Sequence, residues 1–474
     1  MIEENKTKSF LQVKLKKTHG KIEFKVDKDI DSLKLTWNDN HQFFIAYLFG
    51  PDKKLYGQLV TVAKEGYRTI SIYEKYTSPC CKSLERVEDF IGDWTLEYVA
   101  IGENKNLIIQ LNIEEYCPKE EGSLSEDNFI CLTNNSHNNE DTEKSWFAGD
   151  FHTHTIYSDG KMTREENNEI AKEQGLNFFV PTDHNIYHYT WPKTKNLKVY
   201  PGTEITSSLG HINLLFCEKN PFETHSIMEI EDENTLVKII DKALDYSLVS
   251  INHPFMPPWD FNSRNFPLDK VRIMEIINDP TYKTSKEATE RALKAWNILL
   301  NEGYQVVGVG GSDSHLGLDE RYENSMYPSI LGDPKTFLYS KRNDFYDLRN
   351  ALKSGDVIVS RKDFIDLQLN GISRHNENFT GEIELVATLK EREYREKALH
   401  FNWVLDGETL KKEEGIKSSF SIDMDSNFHW VRLDIVDEED NLYGFTNPIY
   451  FNKYMENPSI KTWGQLMEKL GNED

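Results

Sequence analysis

Histidine and carboxylate residues recur in short clusters through the middle of this 474-residue chain, where eight of its fourteen histidines lie between His152 and His315. His152 and His154 stand two apart in FHTHT, after a Gly-Asp turn. An i, i+2 pair in extended backbone points both imidazoles to one side, which suits two ligands on one ion. Asp159 follows in YSDG, where Gly160 frees the backbone to turn, and Asp183 and His184 close VPTDH. Glu204 closes VYPGTE, His211 opens HINLLF, His253 closes VSINH, and Asp313 and His315 close VGVGGSDSH. A lone histidine reads more simply as a satisfied core or surface residue. A set placed mostly at the ends of successive expected strands reads as a metal site. Its nitrogen and oxygen donors, without thiolate, suit Zn, Mn or Fe.

The elements that must position these residues can be read from periodicity. From Trp146 to about Ser360, strand-like runs alternate with amphipathic helical ones. Thr163 and Glu166 make a capping-box pattern at the head of TREENNEIAKEQG, and Gly175 ends it. NFFVPTDHN, KVYPGTEIT and HINLLFC read as strands, then a helix from about Glu233 to Tyr246 precedes LVSINHPF and VRIMEIIND. The helix KEATERALKAWNILLNEG leads into YQVVGVGGSDSH. TFLYS, the helix DFYDLRNALKSG and DVIVS complete the series. Such alternation implies a parallel sheet, and a (β/α) barrel is the economical form at this length. Strand carboxyl ends converge on one face of a barrel. His211, at the start of its strand, fits only if a turn brings it back.

On either side the texture is β-rich. Residues 1–117 alternate apolar and polar residues in KIEFKV and LKLTW, with strong turn chemistry between runs, and read as an antiparallel sandwich. Residues 118–145 carry seven acidic residues and two lysines and read as a linker. Residues 146–360 form the expected barrel, and 361–474 a second β domain with a short terminal helix in TWGQLMEKL.

Lys plus Arg number 55 and Asp plus Glu 79, a formal charge of −24. A surface this acidic repels phosphate backbones and anionic lipid, which argues against nucleic-acid and membrane partners. The amino terminus lacks a signal-like apolar region and no stretch approaches a membrane span, so a cytoplasmic location is expected. The five cysteines include no CxxC pair, and adjacent Cys80 and Cys81 read as reduced thiols.

Taken together, GDFHTHTIYSDG, VPTDHN, PGTEIT with GHINLL, INHPF and GGSDSH resemble the PHP (polymerase and histidinol phosphatase) metallohydrolases, and within them the CehA/McbA-like branch. The resemblance covers residues 146–360; its motifs are specific for the superfamily and much less so for substrate. It implies a distorted (β/α)7 barrel flanked by amino- and carboxyl-terminal antiparallel β domains, holding two or three divalent ions. Carried over by position, it implies that His152, His154, Glu204 and Asp313 bind one ion. Glu204 would bridge to a second, completed by His211 and His253, while Asp159, His184 and His315 would hold a third. Asp183 is expected to orient a ligand histidine. Three divalent cations against three carboxylates leave about +3 on the site, enough to attract a small anionic phosphate inside an acidic body.

The expected activity is hydrolysis of phosphate esters by a metal-bound hydroxide, with Asp313, His211 or His315 helping to move a proton to the leaving group. A carboxylic-ester or carbamate hydrolase on the same site is the alternative. A metal-stabilised binding protein, with β domains that contact carbohydrate or protein, is a second. Tyr187 and His188 are candidates to line the substrate mouth, and Arg321 and Arg361 to clamp an anion; the plainer readings are loop residues and surface arginines. Ser158 and Ser314 each neighbour an expected ligand, and no spare His/Asp pair completes a triad with either.

Overall fold

The structure is a computed structural model. It describes residues 143–471, apart from 224, 324, 391–397 and 455–456. It also describes the segments 8–15, 19–27, 32–38, 43–61, 69–73, 80–81, 90–101 and 109–115. The acidic stretch expected as a linker lies, up to residue 142, outside the described residues, as do Cys117 and Cys131.

Up to residue 115, the described strands make two four-stranded antiparallel sheets. Lys8–Leu15, Ile109–Glu115, Ser32–Asn38 and Thr69–Tyr73 make one; His19–Val26, Gly92–Ile101, Phe43–Phe49 and Leu55–Thr61 make the other. Leu33, Leu35, Phe44, Leu48, Trp94 and Leu96 bury their alternate faces in one core. The second sheet also reaches the metal-ligand region: Tyr47 Oη and Gln58 Nε2 both donate to the carbonyl of Asn185, at 2.8 and 3.0 Å.

The site-bearing region is mixed α/β and departs from simple alternation. Ser145–Asp150, Phe178–Phe179 and Lys198–Val199 run parallel, as do Leu248–Ile251, Ile273–Asn278 and Val307–Gly311. Between these sets, Gly202–Ser207 and Gly210–Leu215 form an antiparallel hairpin, and the latter pairs antiparallel with Leu248–Ile251. KVYPGTEIT, expected as one strand, is split at Pro201. A two-residue connection cannot make the crossover that parallel pairing needs, so a hairpin is forced. Four helices flank these strands: Arg164–Glu173, Glu233–Ala243, Ser285–Asn301 and Phe345–Ser354. The expected capping box is present, with Thr163 accepting from Glu166 N and Glu166 accepting from Thr163 N. The strands do not close into one continuous barrel. Ser145–Asp150 pairs on its other side with Lys335–Ser340, which leads through Val357–Ser360 to Leu442–Thr446, so one sheet runs on across residue 360. At the carboxyl edge, isolated bridges His184–Glu204 and Thr153–Ser314 join the two sheets beside one depression.

After residue 360 the antiparallel strands return as expected. Phe364–Gln368, Gly381–Lys390 and Lys417–Met424 pack on the extension of the long sheet, with Trp403, Phe420 and Leu433 buried between. The chain ends in the helix Trp463–Gly471, whose Trp463 and Leu466 are buried. Among the described residues, no helix is long and apolar enough to cross a membrane.

Candidate metal centre

A buried carboxylate ties the strand ends together. Asp150, last in its strand, accepts the backbone N–H of His152 at 3.1 Å, of Ser312 at 3.2 Å and of Gly332 at 2.7 Å. Burial pushes its carboxyl up to about 6 against these hydrogen bonds. Asp313 N then donates to His152 O at 2.8 Å, which lays the HxH and DSH segments side by side. Two of the expected ligands sit in left-handed backbone, His253 at φ +27° and Asp313 at φ +47°. Non-glycine residues adopt that region only where surrounding structure enforces it.

All nine expected ligands meet in this depression. His152, His154 and Asp313 form one group with donor atoms within 4.8 Å of one another; His152, Glu204 and His253 form a second. His184, Glu204 and His211 form a third, and His154, Asp159, His184 and His315 a fourth. Shared members make a single connected cluster. Glu204 is its hub: His152 Nε2 and His211 Nδ1 lie 3.2 Å from Oε1, and His184 Nδ1 lies 2.7 Å from Oε2. Asp313 Oδ1 faces His154 Nε2 at 2.9 Å, and Asp159 faces His315 Nε2 at 3.1 Å and His184 Nε2 at 3.3 Å. The hairpin resolves the difficulty with His211. Thr206 pairs with His211 across it, so the start of one strand returns to the carboxyl end of the other.

Cations fit this arrangement. His152 Nε2, His154 Nε2, Glu204 Oε2, His211 Nδ1 and Asp313 Oδ1 are buried in the cluster and make no hydrogen bond. Buried polar atoms left this way cost about 1–3 kcal/mol each. Burial alone would raise the carboxyls of Glu204, Asp159 and Asp313, yet the surrounding imidazoles hold all three well below the usual range. Burial drives His211 down to about 4, and burial with neighbouring imidazoles also lowers His154, so both are neutral as ligands must be. Burial lowers His315 as well, but Asp159 and Asp313 outweigh it and hold it at about 9. Asp159 and Glu204 likewise raise His184, and Asp313, Glu275 and Glu204 raise His152, against burial. Without metal, protons on His152, His184 and His315 stand where positive charge is wanted; ions would displace them.

Asp183 lies among these ligands but takes a different partner from the one expected. Its oxygens accept from Thr155 N and Oγ1, both at 2.7 Å, from Ser158 Oγ at 2.5 Å and face His188 Nε2 at 2.6 Å. It therefore shapes the loop that follows His154 and touches no ligand imidazole through these bonds. Burial opposes its ionisation, but the His188 contact and its neighbours lower it to about 2. The carboxylate set directly on a ligand imidazole is Glu275, whose Oε1 lies 3.1 Å from His152 Nδ1. Asn252 Nδ2 donates to Glu204 Oε1 at 2.8 Å, and Asn278 Nδ2 donates to Glu275 at 3.0 Å and Asp313 at 3.2 Å. The signal for Glu275 was a single charged residue inside the apolar run IMEIIN.

A cavity of about 150 Å³ opens over the cluster, with Asp159, His184, His211, His253, Asp313 and His315 on its floor. The weaker expectations do not lead there. Tyr187 is buried and donates to Cys217 O at 2.9 Å. His188 is buried between Asp183 and Cys80, whose Sγ lies 3.7 Å from Nδ1. Neither lines the mouth, because the segment after His184 turns inward against the amino-terminal sheet. Arg361 is forked on Asp333 at 2.9 and 2.8 Å, and Arg321 donates to Met326 O at 2.8 Å. Neither arginine faces the cavity as a clamp.

No protein-family model and no curated protein sequence matches the chain. Among solved structures, it is similar to a two-domain protein of Bacteroides vulgatus containing a predicted PHP-like metal-dependent phosphoesterase. That likeness has 16% identity over 64% of this chain and 95% of that one, with a TM-score of 0.37. It is also similar to fibronectin(III)-like modules of Clostridium thermocellum CbhA, at 13% identity over 19% of this chain and 96% of that one, with a TM-score of 0.14. Likenesses this distant carry no weight for the chemistry; the donor geometry does. The site is of a class in which clustered histidine and carboxylate donors could hold metal ions.

Proposed function

We propose that this chain is a divalent-metal-dependent hydrolase of phosphate esters, of PHP type and nearest the CehA/McbA-like branch. The observation that carries the proposal is the convergence of nine donors from seven rim segments into one buried cluster, several of whose polar atoms make no hydrogen bond. His152, His154, Glu204 and Asp313 would hold one ion, Glu204 with His211 and His253 a second, and Asp159, His184 and His315 a third. Support for reading residues 146–360 as a distorted barrel, with 1–117 and 361–474 as flanking β domains, comes from the two bridges that join the sheets at the site. Two or three ions of Zn, Mn or Fe, when bound, supply Lewis acidity toward a phosphoryl oxygen and an activated water at neutral pH.

The chain's own groups do the rest. Seven rim segments fix the donors, Glu275 and Asn278 set the orientation of His152 and Asp313, and the cavity admits one small ester. His315, His211 and Asp313 line the cavity, and on this reading one of them would help to move a proton to the departing oxygen.

A carboxylic-ester or carbamate substrate is the second reading. One observation favours it: among the described residues, the cavity lining includes no arginine or lysine to hold a dianion. A panel of chromogenic phosphate and carboxylic esters, assayed with added Mn or Zn, separates the two. Turnover of phosphate esters that is lost in Asp313→Ala supports the proposal. Esterase activity without phosphatase activity reverses the order.

A further inference from the structure

The walls of the cavity differ in kind from its floor. Beside the ligands the cavity is lined by Met256, Trp259, Tyr282 and Tyr322, with Asn278 and Asp279 as the remaining polar residues. Each of the first four comes from a loop that follows a ligand-bearing or ligand-orienting strand. Trp259 sits on a turn after His253, held by Met256 N on His253 O at 3.0 Å and Trp259 N on Met256 O at 2.8 Å. Tyr282 follows Ile273–Asn278, with its N–H on Asp279 O at 2.9 Å, and Tyr322 lies in the loop beyond His315.

The three rings form a continuous aromatic wall. The centroids of Trp259 and Tyr282 are 5.6 Å apart and tilted by 56°; those of Tyr282 and Tyr322 are 5.2 Å apart and nearly perpendicular, at 81°. Trp259 remains 41% exposed although most tryptophans described here are buried. Such a wall beside a polar floor is the usual division of a ligand site: few polar groups orient, and apolar rings supply area. A cavity of about 150 Å³ has room for roughly one six-membered ring.

We infer that this wall is a subsite for an aromatic ring in the substrate's alcohol portion, packed against Trp259, Tyr282 and Tyr322 while the ester lies over the ligand cluster. The inference rests on the hydrolase reading above and names its substrate class. Trp259 is then a specificity residue that acts on the departing group and leaves ester chemistry to the floor.

Calorimetric titration of the Mn-loaded full chain with non-hydrolysable pairs tests this. Benzylphosphonate is expected to bind about tenfold or more tightly than methylphosphonate. Trp259→Ala should abolish that preference with methylphosphonate binding unchanged, and Trp259→Phe should restore most of it. Equal affinity of the two phosphonates, or a preference that survives both Trp259→Ala and Tyr282→Ala, overturns the subsite. Phenylacetate against acetate, titrated in the same way, separates the two readings. A ring preference in the carboxylate pair alone keeps the aromatic subsite and sinks the phosphate-ester proposal. Binding of neither pair to metal-loaded protein overturns both.

Discussion

Glu275 Oε1 lies 3.1 Å from His152 Nδ1, while the other oxygen of the same carboxylate accepts the backbone N–H of His253 at 2.9 Å. One side chain from Ile273–Asn278 thus sets the ring of one ligand and the backbone of another. With Nδ1 turned to Glu275, Nε2 is the nitrogen that faces Glu204 and Asp313, each at 3.2 Å, and the one left for an ion.

Glu275→Gln keeps the shape but removes the charge on that contact. Loss of such an outer partner typically costs 10–100-fold in metal affinity. Metal-binding isotherms of the variant should show that loss with near-native circular dichroism. Unchanged affinity would show that His152 is oriented by other means.

Metal removal should destabilise the fold around the rim. Five donor atoms of the cluster are buried without hydrogen bonds, so a ligand that satisfies them in the folded state alone shifts the folding equilibrium. Free ion at about a hundredfold over Kd adds roughly 3 kcal/mol. Calorimetric scans with chelator, then with Mn or Zn restored, should show a reversible fall and recovery in Tm. Identical scans would count against a metal site.

Gly311 leaves no room for a side chain. A Cβ there would overlap the Glu275 carboxylate and His152 Cβ. Gly311→Ala should cost about 1–3 kcal/mol through overpacking. It should also lower metal content more than Gly371→Ala, a control in an open turn with nothing near a Cβ, although that glycine's φ of +89° adds strain of its own. Elemental analysis and urea unfolding of both variants check this.

Asp279 provides a pH signature. Burial raises its carboxyl from 3.8 to about 6, against hydrogen bonds from Thr281 and Ser329. A raised carboxyl binds its proton more tightly folded than unfolded, so its contribution is full below about pH 4 and is lost as pH rises through 6. Relative to Asp279→Asn, the metal-free protein should therefore lose roughly 3 kcal/mol between pH 4 and 7. Bound cations nearby favour the carboxylate, so metal loading should flatten the difference. Urea titrations across that range, with and without metal, report the result.

Several of these features were legible before any coordinates. The Thr163/Glu166 cap, the helices on either side of VVGVGGSDSH and the terminal helix from Trp463 are local, and local patterns write themselves into short stretches. Glu275 was harder to see, because one acidic residue in an apolar strand looks alike whether it faces a metal ligand or a buried arginine. Tyr187 and His188 failed as mouth residues for a related reason. Their direction is set by Tyr47 and Gln58, more than a hundred positions earlier, which hold the Asn185 carbonyl against the amino-terminal sheet.

By itself, the sequence determined which atoms could bind metal, since donor chemistry belongs to residue types and the i, i+2 spacing of His152 and His154 needs only extended backbone. It also determined the β, α/β, β order of the chain, because period-2 and period-3.6 patterns are local. Tertiary structure alone decided that Gly202–Ser207 and Gly210–Leu215 form a hairpin that returns His211 to Glu204. It alone joined the strand Ser145–Asp150 to a sheet running into the last module and gathered three aromatic rings from separate loops. These are pairings between segments far apart in the chain, and their energies depend on burial and register that no single segment encodes.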